Sequence, residues 1–359
     1  MKLLGSSGLA ATSWALLSLS VLLPPFFGVD PRTTIMIAAT IVGIQSAQST
    51  VVQVAPRNQN SRYWLWAWHL GAIAVACTAI IVEGEFLSAG VATVSGALLG
   101  IPLGMQSLAV LDDKGGTAYQ RFQASRSSAI LAGALACTWL AQAELTELSA
   151  IALAVVISIY SAASSLLPRR ARSVHAPNYP PGKAVWVVVG LCAALFYRND
   201  TTWLRASLAS TEDFLVWNAG LVAYTAVQGI VGFIVIQKLL SKRRDAKQWF
   251  FGVATRYRGR IVILFFALCI ASIALAAALP AAAAIVIAAG LAVAVGLLSG
   301  AVHAMGLNWA PYLAGTLGVV SLLALLTLGT SPQIALVVEN VLIAGLLVAA
   351  FVTARPRCN

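Results

Sequence analysis

Arg198, Asn199 and Asp200 stand in a row, and Arg205 follows seven residues after Arg198, inside a stretch from 184 to 206 that is otherwise apolar. Residues seven apart share a face of a helix, so the two arginines would project to one side with Thr201 and Thr202 between them. An ionisable side chain at membrane depth costs about 2.5–3.5 kcal/mol on insertion scales unless it faces protein or water. Two chemistries would account for keeping them. One is structural: an ion pair, or an arginine snorkelling to the interface. The other is a cationic lining of a water-filled cavity that accepts an anionic headgroup, because the planar guanidinium offers a bidentate fork to phosphate oxygens.

Glu339, in the apolar stretch 332–353, is the other deep charge. At 1.5 Å of rise per residue, Arg198 lies about 21 Å in from the cytoplasmic side and Glu339 about 10 Å below the outer boundary, which are similar depths. The two are therefore expected to be able to pair. Asp200 and Glu339 are also the residues able to bind a coupling proton or sodium ion. The stretch 33–55 is unusually polar, with Gln45, Gln48, Ser49, Thr50 and Gln53. These either hydrogen-bond to neighbouring helices or line a cavity. The expected substrate-binding set is Arg198, Arg205, Asn199, Gln45 and Gln48.

Catalytic constellations are missing. Asp112-Asp113 is the nearest approach to a metal site, of the kind an enzyme acting on polyprenyl lipids would use. Two-metal chemistry needs a second acidic cluster, and Asn199-Asp200 is followed by Trp203 where a further acid is required. No phosphate-binding loop, nucleophile elbow or metal-ligand spacing occurs. The five cysteines have neither paired nor metal-like spacing. No enzyme, metal or cofactor is expected. The net charge of +11 does not point to nucleic acid either, because the basic residues sit in short loops where an anionic inner leaflet explains them.

The elements that must position these residues follow from composition and charge. The chain is 60% hydrophobic and 10% charged. Its apolar stretches are mostly long enough to cross about 30 Å of hydrocarbon as helices. An all-α integral membrane protein is expected, with about 12 transmembrane helices near 8–28, 33–55, 63–82, 87–110, 128–143, 148–167, 184–206, 214–239, 260–279, 281–300, 309–329 and 332–353. Of the 23 Lys and Arg, 20 lie at Lys2, in every second loop or in the tail, whereas the intervening loops carry Asp30, Glu83, Glu85, Glu144, Glu147, Glu212 and Asp213. The positive-inside rule then puts both termini in the cytoplasm. Arg121 and Arg126 count among the basic loop residues; Arg32 is the exception, in an outer loop. Gly28 and Gly329 mark turns. The Pro-rich basic segment 168–183 falls near the midpoint and divides the chain into two six-helix bundles, 1–167 and 184–359. A weak echo supports a duplication: Asp30 precedes Gln45, and Asp213 precedes Gln228, by the same fifteen residues. His69 stands among Tyr63, Trp64, Trp66 and Trp68, which read as an interfacial aromatic belt.

Twelve helices in two sixes, a basic linker after the sixth, and a seventh helix reading Tyr197-Arg198-Asn199-Asp200, with Phe214, Tyr224 and Gln237 following, resemble the Wzx-like polysaccharide flippases of O-antigen type. These belong to the multidrug/oligosaccharidyl-lipid/polysaccharide exporter superfamily. Helix 2 running into Pro56-Arg57 and helix 4 running through Pro102 are similar in layout. The resemblance implies two bundles around a central cavity in the bacterial inner membrane. It implies movement of a polyprenyl-diphosphate-linked oligosaccharide to the outer leaflet, with Arg198 and Arg205 receiving the diphosphate. Partners would be the lipid-linked glycan, membrane lipids and a glycan polymerase or glycosyltransferase. The alternatives are a cation-coupled small-molecule exporter of the same superfamily, using Asp200 and Glu339, and a membrane enzyme acting on polyprenyl lipids through Asp112 and Asp113.

Overall fold

The computed structural model describes residues 2–54, 62–111, 117–166, 183–211, 213–241, 280–305 and 309–353, with 256, 259, 270 and 307. Helices account for nearly all of them, and no strand occurs among the described residues. In chain order they are α1 (Lys2–Phe26), α2 (Pro31–Val54), α3 (Arg62–Cys77), α4 (Glu85–Leu111), α5 (Thr117–Gln142), α6 (Ser149–Leu166), α7 (Lys183–Tyr197), α8 (Asp200–Ser207), α9 (Phe214–Ser241), α10 (Pro280–Ala304), α11 (Trp309–Thr327) and α12 (Pro332–Thr353). Among the described residues, seven helices are long and apolar enough to cross a bilayer: parts of α1, α2, α4 and α6, and most or all of α10, α11 and α12. Apolar side chains midway along several of them are exposed, including Ile159 and Val341, as lipid-facing positions are. This is a multi-pass α-helical membrane protein.

The pair Asp112-Asp113 and nearly all of the expected span 260–279 and of the segment 168–183 lie outside the described residues. Two expected spans differ from what is observed. The span placed at 128–143 begins at Thr117, so Arg121 and Arg126 are helical rather than in a loop. The span placed at 184–206 is broken into α7 and α8. Gly28 and Gly329 do mark turns, with φ of +71° and +76°. A side chain would be strained at either position.

The chain forms two compact units, 1–215 and 216–359. In the first unit α7 and α8 pack on α2 and α4. The centre of that unit is the pair α2 and α4, packed backbone to backbone. A Cβ on Gly43 of α2 would run into the Thr93 carbonyl, and one on Gly96 of α4 into the Thr40 carbonyl. One on Gly100 would lie 2.6 Å from the Ile44 oxygen, and one on Gly104 would lie 2.7 Å from Val51 Cβ. Such approach is how helices gain packing where lipid supplies no hydrophobic drive. Polar clamps join the other helices. Ser13 Oγ of α1 and Ser127 Oγ of α5 are 2.7 Å apart. Gln106 of α4 donates to Ser161 Oγ of α6 at 3.0 Å and accepts from Ser164 Oγ at 2.6 Å. Arg32 donates through Nε to Ser88 Oγ at 3.1 Å and through Nη2 to the carbonyls of Ala79 and Val82. This cation in the first turn of α2 thus satisfies carbonyls in the short segment that follows α3.

In the second unit α12 packs on α10 and α11. Leu298, Ala314 and Leu347 form one apolar cluster, and Ala301, Val302, Ala310 and Phe351 another. Tyr224 Oη of α9 donates to Asn340 Oδ1 of α12 at 3.0 Å and accepts from Gln228 Nε2 at 2.7 Å.

Candidate functional site

The break between α7 and α8 is made by the side chain of Asn199. An α-helical Asn199 N–H would bond to the Leu195 carbonyl, but its own Nδ2 takes that carbonyl at 2.7 Å, as short polar side chains do when they compete with the backbone. The backbone N–H turns to the Phe196 carbonyl at 3.3 Å, and the Asn199 carbonyl then starts α8 by accepting from Thr202 and Trp203. Asp200 Oδ1 accepts from the Thr201 N–H at 2.7 Å, a carboxylate at the first turn where helix N–H groups lack partners. Asn199 Nδ2 also donates to Thr93 Oγ1 of α4 at 3.1 Å and is 1% exposed. The interruption is therefore anchored to the packed centre of the unit. Trp203 stacks on Phe86, with ring centroids 5.9 Å apart, and closes one side of α8.

Arg198 stands at the break and is partly exposed. Its Nη1 donates to Ser49 Oγ of α2 at 3.1 Å, and its Nε donates to Tyr197 Oη at 3.2 Å. Arg205 does not snorkel: it is 3% exposed, donates from Nη1 to the Thr201 carbonyl at 3.2 Å, and interacts electrostatically with Asp200. The two arginines of the expected cationic face have different partners, Ser49 and Tyr197 for Arg198 and the Thr201 carbonyl for Arg205. The helix is interrupted at 198–199, and Arg205 donates back to its own short helix.

The remaining expected residues are divided. Gln45 is partly buried on α2. Gln48 is 4% exposed and belongs to another cluster, accepting from Arg126 Nη1 of α5 and donating to Ser107 Oγ of α4. Glu339 is 1% exposed on α12 in the second unit, its Cγ 3.3 Å from where a Cβ on Gly318 of α11 would lie. His69 is 3% exposed and meets Trp66, itself exposed, edge to face at 6.2 Å. No group of three or more His, Cys, Asp or Glu among the described residues is placed to hold a metal.

Sequence reasoning missed Arg126 by assigning it to a basic loop. A signal was present. Gln120, Gln123, Ser127, Ile130, Ala134 and Cys137 continue one buried stripe, whereas Arg121, Ser125 and Ser128 are exposed. That is the spacing of a helix with one covered face. The arrangement around Arg198 can do one thing chemically: present a partly exposed guanidinium, a buried amide and a carboxylate at an interrupted helix. No family model, curated protein or solved structure matches the chain.

Proposed function

We propose that the chain is a flippase for a lipid-linked, polyprenyl-diphosphate oligosaccharide, working by alternating access in a bacterial inner membrane. The observation that carries this reading is the interrupted helix at 198–199, which holds Arg198 partly exposed beside a polar face of α2. Backbone irregularity at membrane depth is tolerated where it is buried in protein or lines a water-filled path, and transporters place their sites at such breaks. A diphosphate headgroup bearing a glycan cannot enter hydrocarbon, so its carrier must offer a polar, cationic route while the prenyl tail stays in lipid. In this reading Arg198 is the headgroup ligand, with Arg205, Asn199 and Gln45 as its polar surroundings. Twelve spans in two sixes with both termini cytoplasmic supply the rocking element, and Asp200 and Glu339 bind the coupling ion.

The test is transport in vesicles or in cells that depend on the chain for glycan export. Arg198→Ala is expected to abolish export while the protein still inserts and folds; normal export would overturn the reading. Arg198→Lys separates charge from the bidentate fork, and export near the level of the alanine variant is expected if the fork is required. In the same vesicles, Glu339→Gln is expected to remove the response to an imposed proton or sodium gradient.

A further inference from the structure

Arg126 lies nine residues beyond Thr117, the first residue of α5. That distance is about 13 Å of helix rise. Arg126 is 5% exposed. Its Nη1 donates to Gln48 Oε1, and its Nε has no hydrogen-bond partner. Tyr119 on α5, which hydrogen-bonds Gln123, and Tyr160 on α6 are near enough to interact electrostatically with it. Among the described residues it forms no ion pair with a carboxylate. Burying a cation without an anion costs several kcal/mol, and a guanidinium with an idle donor adds to that cost. Topology does not require it, because Arg121 on the exposed face of the same helix already supplies a basic residue there.

The groups around Arg126 have one chemistry in common. Gln48, Ser107, Tyr119 and Tyr160 are all neutral, and each can donate a hydrogen bond. They come from four helices, α2, α4, α5 and α6, and so approach from several directions. A carboxylate ligand has two oxygens, whereas a phosphate group has three or four and uses donors from all sides. Gln48 occupies the guanidinium with its amide oxygen while its Nε2 bonds Ser107, which itself donates to the Leu103 carbonyl at 2.9 Å. Rotation of that amide would free the guanidinium and turn an N–H toward it. We propose that Arg126, with Gln48, Ser107, Tyr119 and Tyr160, forms an oxyanion site inside the first unit that takes a phosphate group, either free or as an ester. The site is independent of the transport reading, which rests on Arg198.

The experiment uses the full chain in a phosphate-free maltoside detergent. Inorganic phosphate is titrated in one arm and phosphatidic acid in mixed micelles in the other, with equilibrium binding and the thermal midpoint as readouts. The wild type is expected to bind at least one saturably and to gain thermal stability. Binding of inorganic phosphate identifies a free anion as the ligand, whereas binding of phosphatidic acid alone identifies a lipid headgroup. Arg126→Gln is expected to weaken binding about tenfold or more. Without anion its midpoint should equal or exceed the wild type's, since a buried uncompensated cation has gone. Arg126→Lys keeps the charge but lacks the Nε donor and the fork, so it should also bind more weakly. Absence of binding to either probe by the wild type overturns the site, as does wild-type affinity in either variant. Should Arg126→Gln fail to fold, the lysine variant decides alone.

Discussion

Asn199 joins chemistry to structure in a single residue. Its amide diverts the Leu195 carbonyl from the backbone ladder and ties the resulting break to Thr93. The first bond is partly buried and the second fully buried, so Asn199→Ala should cost about 1–3 kcal/mol, read as a lower thermal midpoint in detergent. Thr93→Val should cost less than Asn199→Ala, because the Leu195 bond survives. The double variant should fall short of the sum of the two, as expected for residues in one network. Additive losses would mean that the Asn199–Thr93 bond contributes nothing. The polar row Arg198-Asn199-Asp200 was legible in the sequence as a place of interest. Its geometry was not, because periodicity assumes an unbroken helix and Asn199 ends one.

At the scale of elements, α2 and α4 carry the first unit through their glycines. Gly96, Gly100 and Gly104 recur every fourth residue, so they line one face of α4. Gly96→Ala would push a methyl into the Thr40 carbonyl, and Gly43→Ala into that of Thr93. Both contacts are backbone, which cannot rotate away, so each substitution should destabilise the protein by about 1–3 kcal/mol or more. Gly90→Ala is the matched control. A Cβ there meets nothing within 4 Å, so the change should be neutral or stabilise slightly through the better helix propensity of alanine. Equal losses in all three by thermal unfolding would refute the backbone-contact account. The same helices show why α5 is longer than its apolar run suggests. Its first turns are polar, and polarity at the edge of an apolar run resembles a loop unless the buried stripe is followed through it.

For the whole molecule, the alternation of basic and acidic loops makes a topological prediction. Under the proposed arrangement Cys358 in the tail is cytoplasmic. In a variant with Cys77, Cys137, Cys192 and Cys269 replaced by serine, a membrane-impermeant maleimide should label Cys358 only after the cells are permeabilised. Labelling of intact cells would overturn the orientation. Arg32, the basic exception on the side expected to be outer, does not weaken it, since it is held by carbonyls in the segment that follows α3.

Composition and spacing alone determined the solvent and the secondary structure. A chain so apolar, with runs of bilayer length, has to satisfy its backbone hydrogen bonds within each segment and is therefore helical in the membrane. Spacing also located the costly polar residues, because an apolar background makes them conspicuous. Tertiary structure alone decided their partners. Arg198 was bonded to Ser49 of α2 and Arg205 to its own short helix; Gln48 was drawn to Arg126 across α2 and α5; and the first compact unit took in α7 and α8. The helix break between the two arginines starts from a local bond, Asn199 to the Leu195 carbonyl, but the other two depend on contacts between residues far apart in the chain, set by where glycines let backbones approach and where buried polar groups had to be satisfied.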